Sequence, residues 1–271
     1  YYVDASGQPI LASKSTNYWE FPMFMVKKEG RDYGTSDMRW AYLRSDFTGP
    51  ARRAGEILLV HEPGADYTEG KGRSAWQYLL GQRRVRKAPA VSFDTPRPAS
   101  AGTSTYDDSF IYNGSPERYN WKLVGKKEMI IPYSCYDFNF KHKVEDILGD
   151  KFMNPDTIRW EKHRVWVVEA DLKEGMRHLY HKRRFYIDED SWQGLAAENY
   201  DGQGNLWRVQ FAYGADLYDI KSNYHFAYGA YDLLQGIYNV NTKPIPGKFK
   251  NGVDEGDKYF TPKGMARGGV R

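Results

Sequence analysis

Two histidines lie close enough together in the sequence to raise the question of a metal site. His178 and His181 are separated by two residues. On a helix this spacing would place both imidazoles on one face, whereas on a strand residues three apart point to opposite faces. The surrounding sequence is rich in residues that favour strands. We therefore expect surface or cross-strand histidines and no shared metal.

An acidic triplet at residues 188–190, Asp-Glu-Asp, could support acid–base chemistry or bind calcium. It lies between two predicted strands, where acidic residues commonly form turns. Carboxylate catalysis would need a second acidic group held across a cleft, and the spacing of the triplet does not supply one. A turn or a cap is the expected role.

The single cysteine, Cys135, is the one candidate thiol nucleophile, and it has no partner for an internal disulfide. No flanking motif supports catalysis, and lone cysteines usually pack as small buried hydrophobic residues. The serine nucleophile motif G-x-S-x-G is absent. The sequence therefore predicts no catalytic residue and no cofactor, with a hydrolase kept as an alternative.

The strongest concentration of positive charge is the stretch QRRVRK at residues 82–87. Alternation along a strand places Arg84 and Arg86 on one face and Arg83 and Lys87 on the other. These charges either blunt a strand edge against pairing or form a patch that binds a protein partner or an anion. The net charge of +4, from 39 basic and 35 acidic residues, gives little support to nucleic-acid binding.

Alternation of apolar and polar residues dominates the chain and predicts strands that would position these groups. In the longest alternating stretch we expect one face to carry Tyr119, Trp121, Leu123, Met129 and Ile131. After the Gly-containing turn at 201–204, a second apolar ribbon is expected to carry Trp207, Val209, Phe211 and Tyr213. Consecutive short turns favour an antiparallel meander over parallel βαβ units.

Helix signals are few. Residues 143–152 predict a helix that ends at Gly149, and Ser115 followed by Pro116 predicts a helical turn. Residues 224–241 are expected to be extended because two glycines weaken a helix there. Residues 88–108, rich in Pro, Ser and Thr, predict a long loop.

The length of 271 residues suits one large β domain or two small ones, and aromatic residues make up 16% of the chain. The mean hydropathy is −0.74, and no apolar run approaches the length of a membrane helix. The chain shows no signal peptide and begins at Tyr1, so we expect a processed or trimmed start that is compatible with secretion.

Three stretches, at residues 75–96, 119–133 and 183–208, carry a family resemblance. They read AWQYLLGQRRVRKAPAVSFDTP, YNWKLVGKKEMIIPY and RRFYIDEDSWQGLAAENYDGQGNLWR. Together they resemble the bacterial domain-of-unknown-function family 1329 of exported proteins, whose members are usually longer. Leu80, where the family string has a proline, and Ser134, where it has an asparagine, depart from the pattern and touch no known site.

The family is similar in fold to the lipoprotein carriers LolA and LolB and to the stress regulator RseB. The resemblance implies a mainly β fold: a curved, incomplete antiparallel barrel whose concave face is covered by a few short helices and loops. It implies one domain over residues 1–271, with 1–35 and 242–271 as peripheral extensions. In the relatives the concave face holds acyl chains, and no catalytic residue can be carried over.

These observations lead to the hypothesis of a periplasmic carrier or chaperone that binds a lipid, an acyl chain or a lipoprotein without a covalent bond and passes it to an outer-membrane or transport protein. The alternative is an envelope interaction or sensor module that binds a protein partner through the basic patch. The residues expected to form the hydrophobic wall are Trp40, Tyr42, Trp76, Tyr78, Trp121, Leu123, Met129, Trp166, Val168, Trp207, Val209 and Phe211.

Overall fold

The computed structural model describes residues 1–22, 39–64, 72–88, 93–256 and 258–268. They divide into two compact units, each built on its own antiparallel sheet. The first unit contains residues 1–12 and 92–251, and the second contains residues 13–91 and 252–271. The expectation of a single domain over residues 1–271 stays a prediction.

The first unit is built on a nine-stranded sheet. From one edge to the other its strands are β2 (Pro9–Ile10), β1 (Tyr2–Val3), β14 (Ile237–Asn241), β13 (Ser222–Asp232), β12 (Leu206–Leu217), β11 (Gly194–Tyr200), β10 (Lys182–Asp188), β9 (Trp160–Leu172) and β8 (Tyr119–Pro132). Strands β8 to β14 follow one another as the predicted meander. In the turn after β11, Asp201 Oδ1 accepts hydrogen bonds from the backbone N–H groups of Gln203 and Asn205, each 2.9 Å long.

The second unit is built on a five-stranded sheet whose strand order follows the chain. Its strands are β3 (Lys14–Glu20), β4 (Tyr42–Gly49), β5 (Ile57–His61), β6 (Ser74–Leu79) and β7 (Arg84–Lys87). A C-terminal helix, α2 (Pro262–Gly268), belongs to the same unit. Its Met265 is fully buried and shares a core with Leu59 and Tyr78.

Both ends of the chain contribute to packed interiors, although the sequence predicted peripheral extensions. At the N-terminus, β1 pairs with β14 and Val3 is buried in the core of the first unit. Near the C-terminus, Phe260 and Met265 are buried in the core of the second. Residues 23–35 of the predicted extension lie outside the described residues.

Short helical segments cover part of the first unit. Helix α1 spans only Val144–Ile147, so the predicted helix at 143–152 is wrong in its length. The reason is that Leu148 turns extended and pairs with Met153 in an isolated bridge. The predicted helical turn is confirmed: Ser115 caps it by accepting a hydrogen bond from the backbone N–H of Glu117.

Two further predictions of local structure are confirmed. Within residues 224–241, residues 224–232 form most of β13 and residues 237–241 form all of β14, with a turn at 233–236 between the two strands. In the described part of the 88–108 segment, the regular structure consists of short 3₁₀ turns, at Pro98–Ser100 and Tyr106–Asp108, and an isolated bridge between Pro96 and Thr105. This loop nevertheless contains buried charged residues.

The nine-stranded sheet is strongly curled but does not close into a barrel. Cα atoms of β8 come within 8 Å of those of β11 and β12, whereas a flat sheet would separate these strands by about 14–19 Å. Ile131 of β8 and Phe211 of β12 pack into the same cluster. We call the face that carries these residues the inner face, and the other the outer face.

Two β-bulges change the faces that alternation predicts. Leu123 lies opposite Val168 and Gly125 opposite Val167, so Val124 is an extra residue in β8. Met129 and Ile131 therefore lie on the inner face, while Trp121 and Leu123 lie on the outer face. The prediction that they share one face is wrong, because a bulge shifts the alternation by one residue.

Core residues lie on both faces of the large sheet. The inner face is covered by Phe138, Ile147 and Met153 from the segment between β8 and β9, which pack with Tyr213 and Tyr238. On the outer face, Ile111 from the loop before β8 packs with Tyr119, Ala170, Phe185 and Ala197. Within the described residues, no helix is both long and apolar enough to span a bilayer.

Candidate functional site

An apolar cluster that is only partly buried lies on the inner face around Phe211. The Phe211 ring packs against the two inner-face cores at once. It makes edge-on ring contacts with Trp160, at 6.1 Å between centroids, and with Tyr231, at 6.4 Å. Met129 and Val209 are also half-buried on this face. We call these five residues the inner cluster.

The inner cluster borders a polar row. Glu198 lies directly opposite Val209 in the adjacent strand. Its carboxylate accepts hydrogen bonds from the hydroxyls of Tyr186, at 2.8 Å, and Tyr200, at 2.6 Å. Burial, followed by the hydrogen bond to Glu198, raises the pKa of Tyr186 to about 12. An apolar surface that ends at a carboxylate held by tyrosines suits a molecule with an apolar body and a polar end.

A second apolar surface lies on the outer face near the β8 edge. Leu123, 61% exposed, stands opposite half-buried Val168. Trp166 on the same face stacks against Trp192, which is 70% exposed, with 6.2 Å between ring centroids. Trp121 is also exposed there. We call these five residues the outer patch; exposed apolar groups at this density commonly mark an interaction surface.

Four predicted wall residues belong to the second unit. Tyr78 is buried in its core, and Tyr42 and Trp76 pack against that core. The Tyr42 ring lies 6.1 Å from Phe260 of the C-terminal segment. Trp40 stacks with Phe21 at 6.0 Å. These contacts account for the four aromatic residues as packing within the second unit.

Trp207 leaves the ribbon that alternation predicts. Asn199 pairs with Arg208 and Tyr200 with Leu206, so Trp207 is the extra residue of a second bulge. Its indole N–H donates to Asp232 Oδ2 at 3.0 Å. Val209 and Phe211 stay on the inner face, so the twelve predicted residues are distributed over separate surfaces. Their role as a ligand-binding wall stays a prediction.

The predicted basic patch is exposed. Arg84, Arg86 and Lys87 lie on β7, which is an edge strand of its sheet, and Arg83 lies in the preceding left-handed turn. Arg84 and Arg86 share a face, as predicted. Among the residues that the structure describes, no carboxylate forms an ion pair with any of the four. Their role in partner binding stays a prediction.

Sequence reasoning missed a buried charge cluster on the outer face. Arg183 of β10 is fully buried and donates from Nη1 to Asp107 at 2.9 Å and from Nη2 to Asp108 at 2.8 Å. The Tyr180 hydroxyl donates to Asp108 at 3.0 Å, and Arg208 donates to the Tyr180 hydroxyl at 2.9 Å. These ion pairs tie the loop before β8 to the sheet. We call this group the buried charge cluster.

His178 completes the cluster and is fixed in one tautomer. The backbone N–H of Tyr180 donates to His178 Nδ1 at 3.0 Å, so Nδ1 carries no proton. Nε2 then holds the ring proton and donates it to Asp107 at 3.0 Å. Both ring nitrogens are therefore engaged, and the imidazole is not free to act as a base. His181 is exposed and lies against Gly202.

The charges of the cluster compensate one another. Burial alone would raise the pKa of Asp107, but the charge of Arg183 and the hydrogen bond from His178 outweigh it and lower the pKa to about 2. The Asp107 carboxylate is thus held ionised beside a buried guanidinium. The one sequence signal is that Arg183 shares an apolar strand face with Phe185 and Ile187.

Cys135 is buried beside a cavity of about 440 Å³. Burial raises the pKa of its thiol to about 12, so the thiolate needed for nucleophilic attack is scarce at neutral pH. Tyr136, His142 and Arg159 also line the cavity. This mixed polar lining suits a polar molecule better than an acyl chain.

Solved structures define the class of fold. A domain from Vibrio parahaemolyticus, described as an outer membrane lipoprotein-sorting protein domain, is 18% identical and aligns over 84% of this chain and 78% of its own, with a TM-score of 0.52. A DUF1329 family protein from Desulfovibrio piger is 15% identical over 83% and 77%, with a TM-score of 0.50. The predicted mainly β, incompletely closed fold is confirmed.

The sequence places the chain in a family. Residues 1–266 match the family described as protein of unknown function, DUF1329, and the chain belongs to this family, as the resemblance predicted. It is 44% identical over 235 residues to the uncharacterized protein PA3922 of Pseudomonas aeruginosa, an alignment that covers 85% of this chain. The chain spans about half of that relative, 51% of its length.

Proposed function

We propose that this chain is a periplasmic carrier or chaperone that binds a hydrophobic molecule on the inner face of its curled sheet. The observation that carries the proposal is the inner cluster. Four of its side chains are half-buried and that of Trp160 is 41% exposed, although they lie beside the cores that the covering segment packs on this face. The ligand class is a lipid, an acyl chain or the lipid part of a lipoprotein.

The comparisons support this choice of function. The Vibrio parahaemolyticus domain, which shares the fold, is described as an outer membrane lipoprotein-sorting protein domain. An open, curled sheet leaves apolar side chains of one face to be covered by something other than its own strands. A lipid cargo is a natural occupant, and an outer-membrane or transport protein is the proposed recipient.

The binding energy would come from removing apolar surface from water. Burial contributes about 25 cal/mol per Å² before the cost of ordering the ligand is subtracted. The polar row at Glu198 and the Tyr186 and Tyr200 hydroxyls would contact the polar end of the ligand. This arrangement would orient an acyl chain with its body against Phe211.

A pair of matched variants tests the inner cluster. Phe211→Ala and Leu123→Ala each remove a predicted wall residue, from the inner and outer faces respectively. Full burial of a phenylalanine is worth about 1.5–3 kcal/mol, so completing the burial of half a ring predicts about a four- to twelvefold loss of affinity for a dansyl-labelled fatty acid. Leu123→Ala should bind like the parent.

Two other outcomes would contradict binding at the inner cluster. If Phe211→Ala is folded by circular dichroism and binds the probe unchanged while Leu123→Ala loses affinity, the ligand contacts the outer patch. If neither variant alters binding, the inner cluster is not the binding surface.

The second candidate function is a module that binds a protein partner through the basic patch. It is favoured by the exposure of Arg83, Arg84, Arg86 and Lys87 without described ion pairs. The Arg84→Glu, Arg86→Glu double variant should then lose an acidic envelope partner in a pull-down and keep lipid binding. Retained capture would argue against a docking role for the patch.

A non-enzymatic role is part of the proposal. His178 has both ring nitrogens engaged, and Cys135 is buried with a raised thiol pKa. A general base must be able to reach the proton that it abstracts, and neither group is presented in this way. An assay of ester hydrolysis on p-nitrophenyl substrates should show only the background rate.

A further inference from the structure

We propose that His163, Asp188 and Asp190 form a binding site for a divalent transition-metal ion, with Zn²⁺ as the best match. One potential ligand atom from each of these residues lies within 4.8 Å of the others. The site lies where β9 and the end of β10 run side by side. It adjoins the inner cluster, because His163 lies directly opposite Met129 in the neighbouring strand, but it does not depend on the proposed carrier function.

Asp188 offers one oxygen that protein groups do not satisfy. Its carboxylate is fully buried. Oδ2 accepts hydrogen bonds from the Ser191 N–H at 2.8 Å, the Ser191 hydroxyl at 2.7 Å and the Tyr133 hydroxyl at 3.2 Å. Oδ1 accepts none from the described residues. A buried carboxylate oxygen without a donor is costly, and a cation is the partner that it lacks.

His163 faces this oxygen. Its Nδ1 lies 3.4 Å from Asp188 Oδ1. Two ligands of a tetrahedral ion with bonds of about 2.1 Å lie about 3.4 Å apart, so this pair already has the separation that zinc requires. The Tyr133 ring stacks on the imidazole with 3.7 Å between centroids and an interplanar angle of 21°. The stacking fixes the ring orientation before any ion binds.

Asp190 supplies the third ligand from the turn after β10. It is exposed, so its side chain can rotate by the ångström or so that closes the site. Glu189, between the two aspartates, is engaged elsewhere: its carboxylate pairs with Arg164 and Lys126. The middle residue of the acidic triplet is thus excluded from the site, and the outer two are available to it.

The donor set selects the class of ion. One imidazole nitrogen with two carboxylate oxygens suits Zn²⁺, whereas Mg²⁺ and Ca²⁺ prefer oxygen donors alone. Three protein ligands leave a fourth position for water. Glu161, whose carboxylate lies 3.6 Å from His163 Nε2, is placed to orient the ring from its far side. Bound zinc would tie the end of β10 to β9.

The test is calorimetric titration of the untagged chain with ZnCl₂ after treatment with a chelator, with MgCl₂ titrated in parallel. The variants are His163→Ala, Asp190→Asn and Glu189→Gln. We expect one zinc per chain, with Mg²⁺ bound at least about 100-fold more weakly. We also expect Asp190→Asn to lose about tenfold or more in affinity, and His163→Ala to lose more.

Glu189→Gln is the matched control, because it removes the same charge one residue away and should bind zinc like the parent. Asp190 is exposed, so its variant tests the site even if His163→Ala does not fold. The proposal is overturned if zinc does not bind at about 1 mM, or if Glu189→Gln weakens binding as much as Asp190→Asn.

Discussion

Replacing Arg183 with methionine would measure how much the buried charge cluster contributes to the free energy of unfolding. The guanidinium is fully buried and forms charge-assisted hydrogen bonds of 2.9 Å to Asp107 and 2.8 Å to Asp108. Methionine fills a similar volume but offers no donor and no charge. The two carboxylates would remain in the interior, with one of their main donors removed.

The expected loss follows from this geometry. Removing one partner of a buried ion pair costs about 3–5 kcal/mol, because an uncompensated charge stays buried. Arg183 serves two carboxylates, so we expect a decrease of at least that size in the free energy of unfolding. A typical domain has about 5–15 kcal/mol in total. The variant should therefore be marginally stable.

Arg184→Met provides a matched control in the neighbouring position. Arg184 pairs with Glu169 at 2.6 Å, but its side chain is 34% exposed. Exposed pairs contribute about 0–1 kcal/mol. The assay is urea unfolding at pH 7, followed by tryptophan fluorescence and circular dichroism, on the parent and on the two variants.

A triple variant distinguishes the loss of the Arg183–aspartate attraction from the cost of leaving two carboxylates buried without a counter-charge. Adding Asp107→Asn and Asp108→Asn to Arg183→Met removes the unpaired carboxylates, so the triple variant should regain part of the lost stability. The reasoning is refuted if Arg183→Met costs less than about 1 kcal/mol, or if it costs no more than Arg184→Met.

Three further predictions concern acid, the thiol and a close backbone contact. The pKa of Asp107 is lowered to about 2, so its ionised form contributes fully to stability above the unfolded pKa near 4. This contribution is lost as the pH falls towards 2. The free energy of unfolding, measured from pH 5 to pH 2, should therefore decrease between pH 4 and pH 2. Cys135, with its raised pKa, should react with Ellman's reagent at least about 100-fold more slowly in the folded than in the unfolded chain; equal rates would contradict its burial. Gly229→Ala would bring a Cβ into steric overlap with the Asn239 carbonyl oxygen, so urea unfolding should show a loss of about 1–3 kcal/mol, and an unchanged midpoint would contradict the contact.

The strands could be predicted from the sequence because the signal for them is local. Each alternating stretch is bounded by residues that accept turn conformations, so β8 to β13 are recognisable without knowledge of their partners. The order of the meander follows from the short connections. Residues 224–241 are predicted as extended for a different reason, because two glycines weaken a helix there.

The faces of the strands could not be predicted as reliably. A bulge depends on how two strands twist and pair, and composition carries little trace of it. Val124 and Trp207 each interrupt the alternation: the bulge at Val124 changes the face of the residues that follow it, and the bulge at Trp207 removes Trp207 itself from the ribbon. For this reason Met129 and Trp121, predicted to be neighbours on one wall, lie on opposite faces.

The buried charge cluster could not be predicted because its members are distant in the sequence. Asp107 and Asp108 lie 76 and 75 residues from Arg183. The two aspartates stand in a Pro-, Ser- and Thr-rich stretch that predicts only a loop. Tertiary packing turns that loop into part of the interior.

The central claim, that the chain carries a hydrophobic molecule, is tested most directly by what the chain retains. The protein would be exported to a bacterial periplasm, purified without detergent and extracted with organic solvent for mass spectrometry. A carrier predicts a lipid-like species in a stoichiometric amount, which Phe211→Ala reduces and Leu123→Ala does not. A clean extract, with no uptake of added fatty acids or phospholipids, would contradict the carrier function.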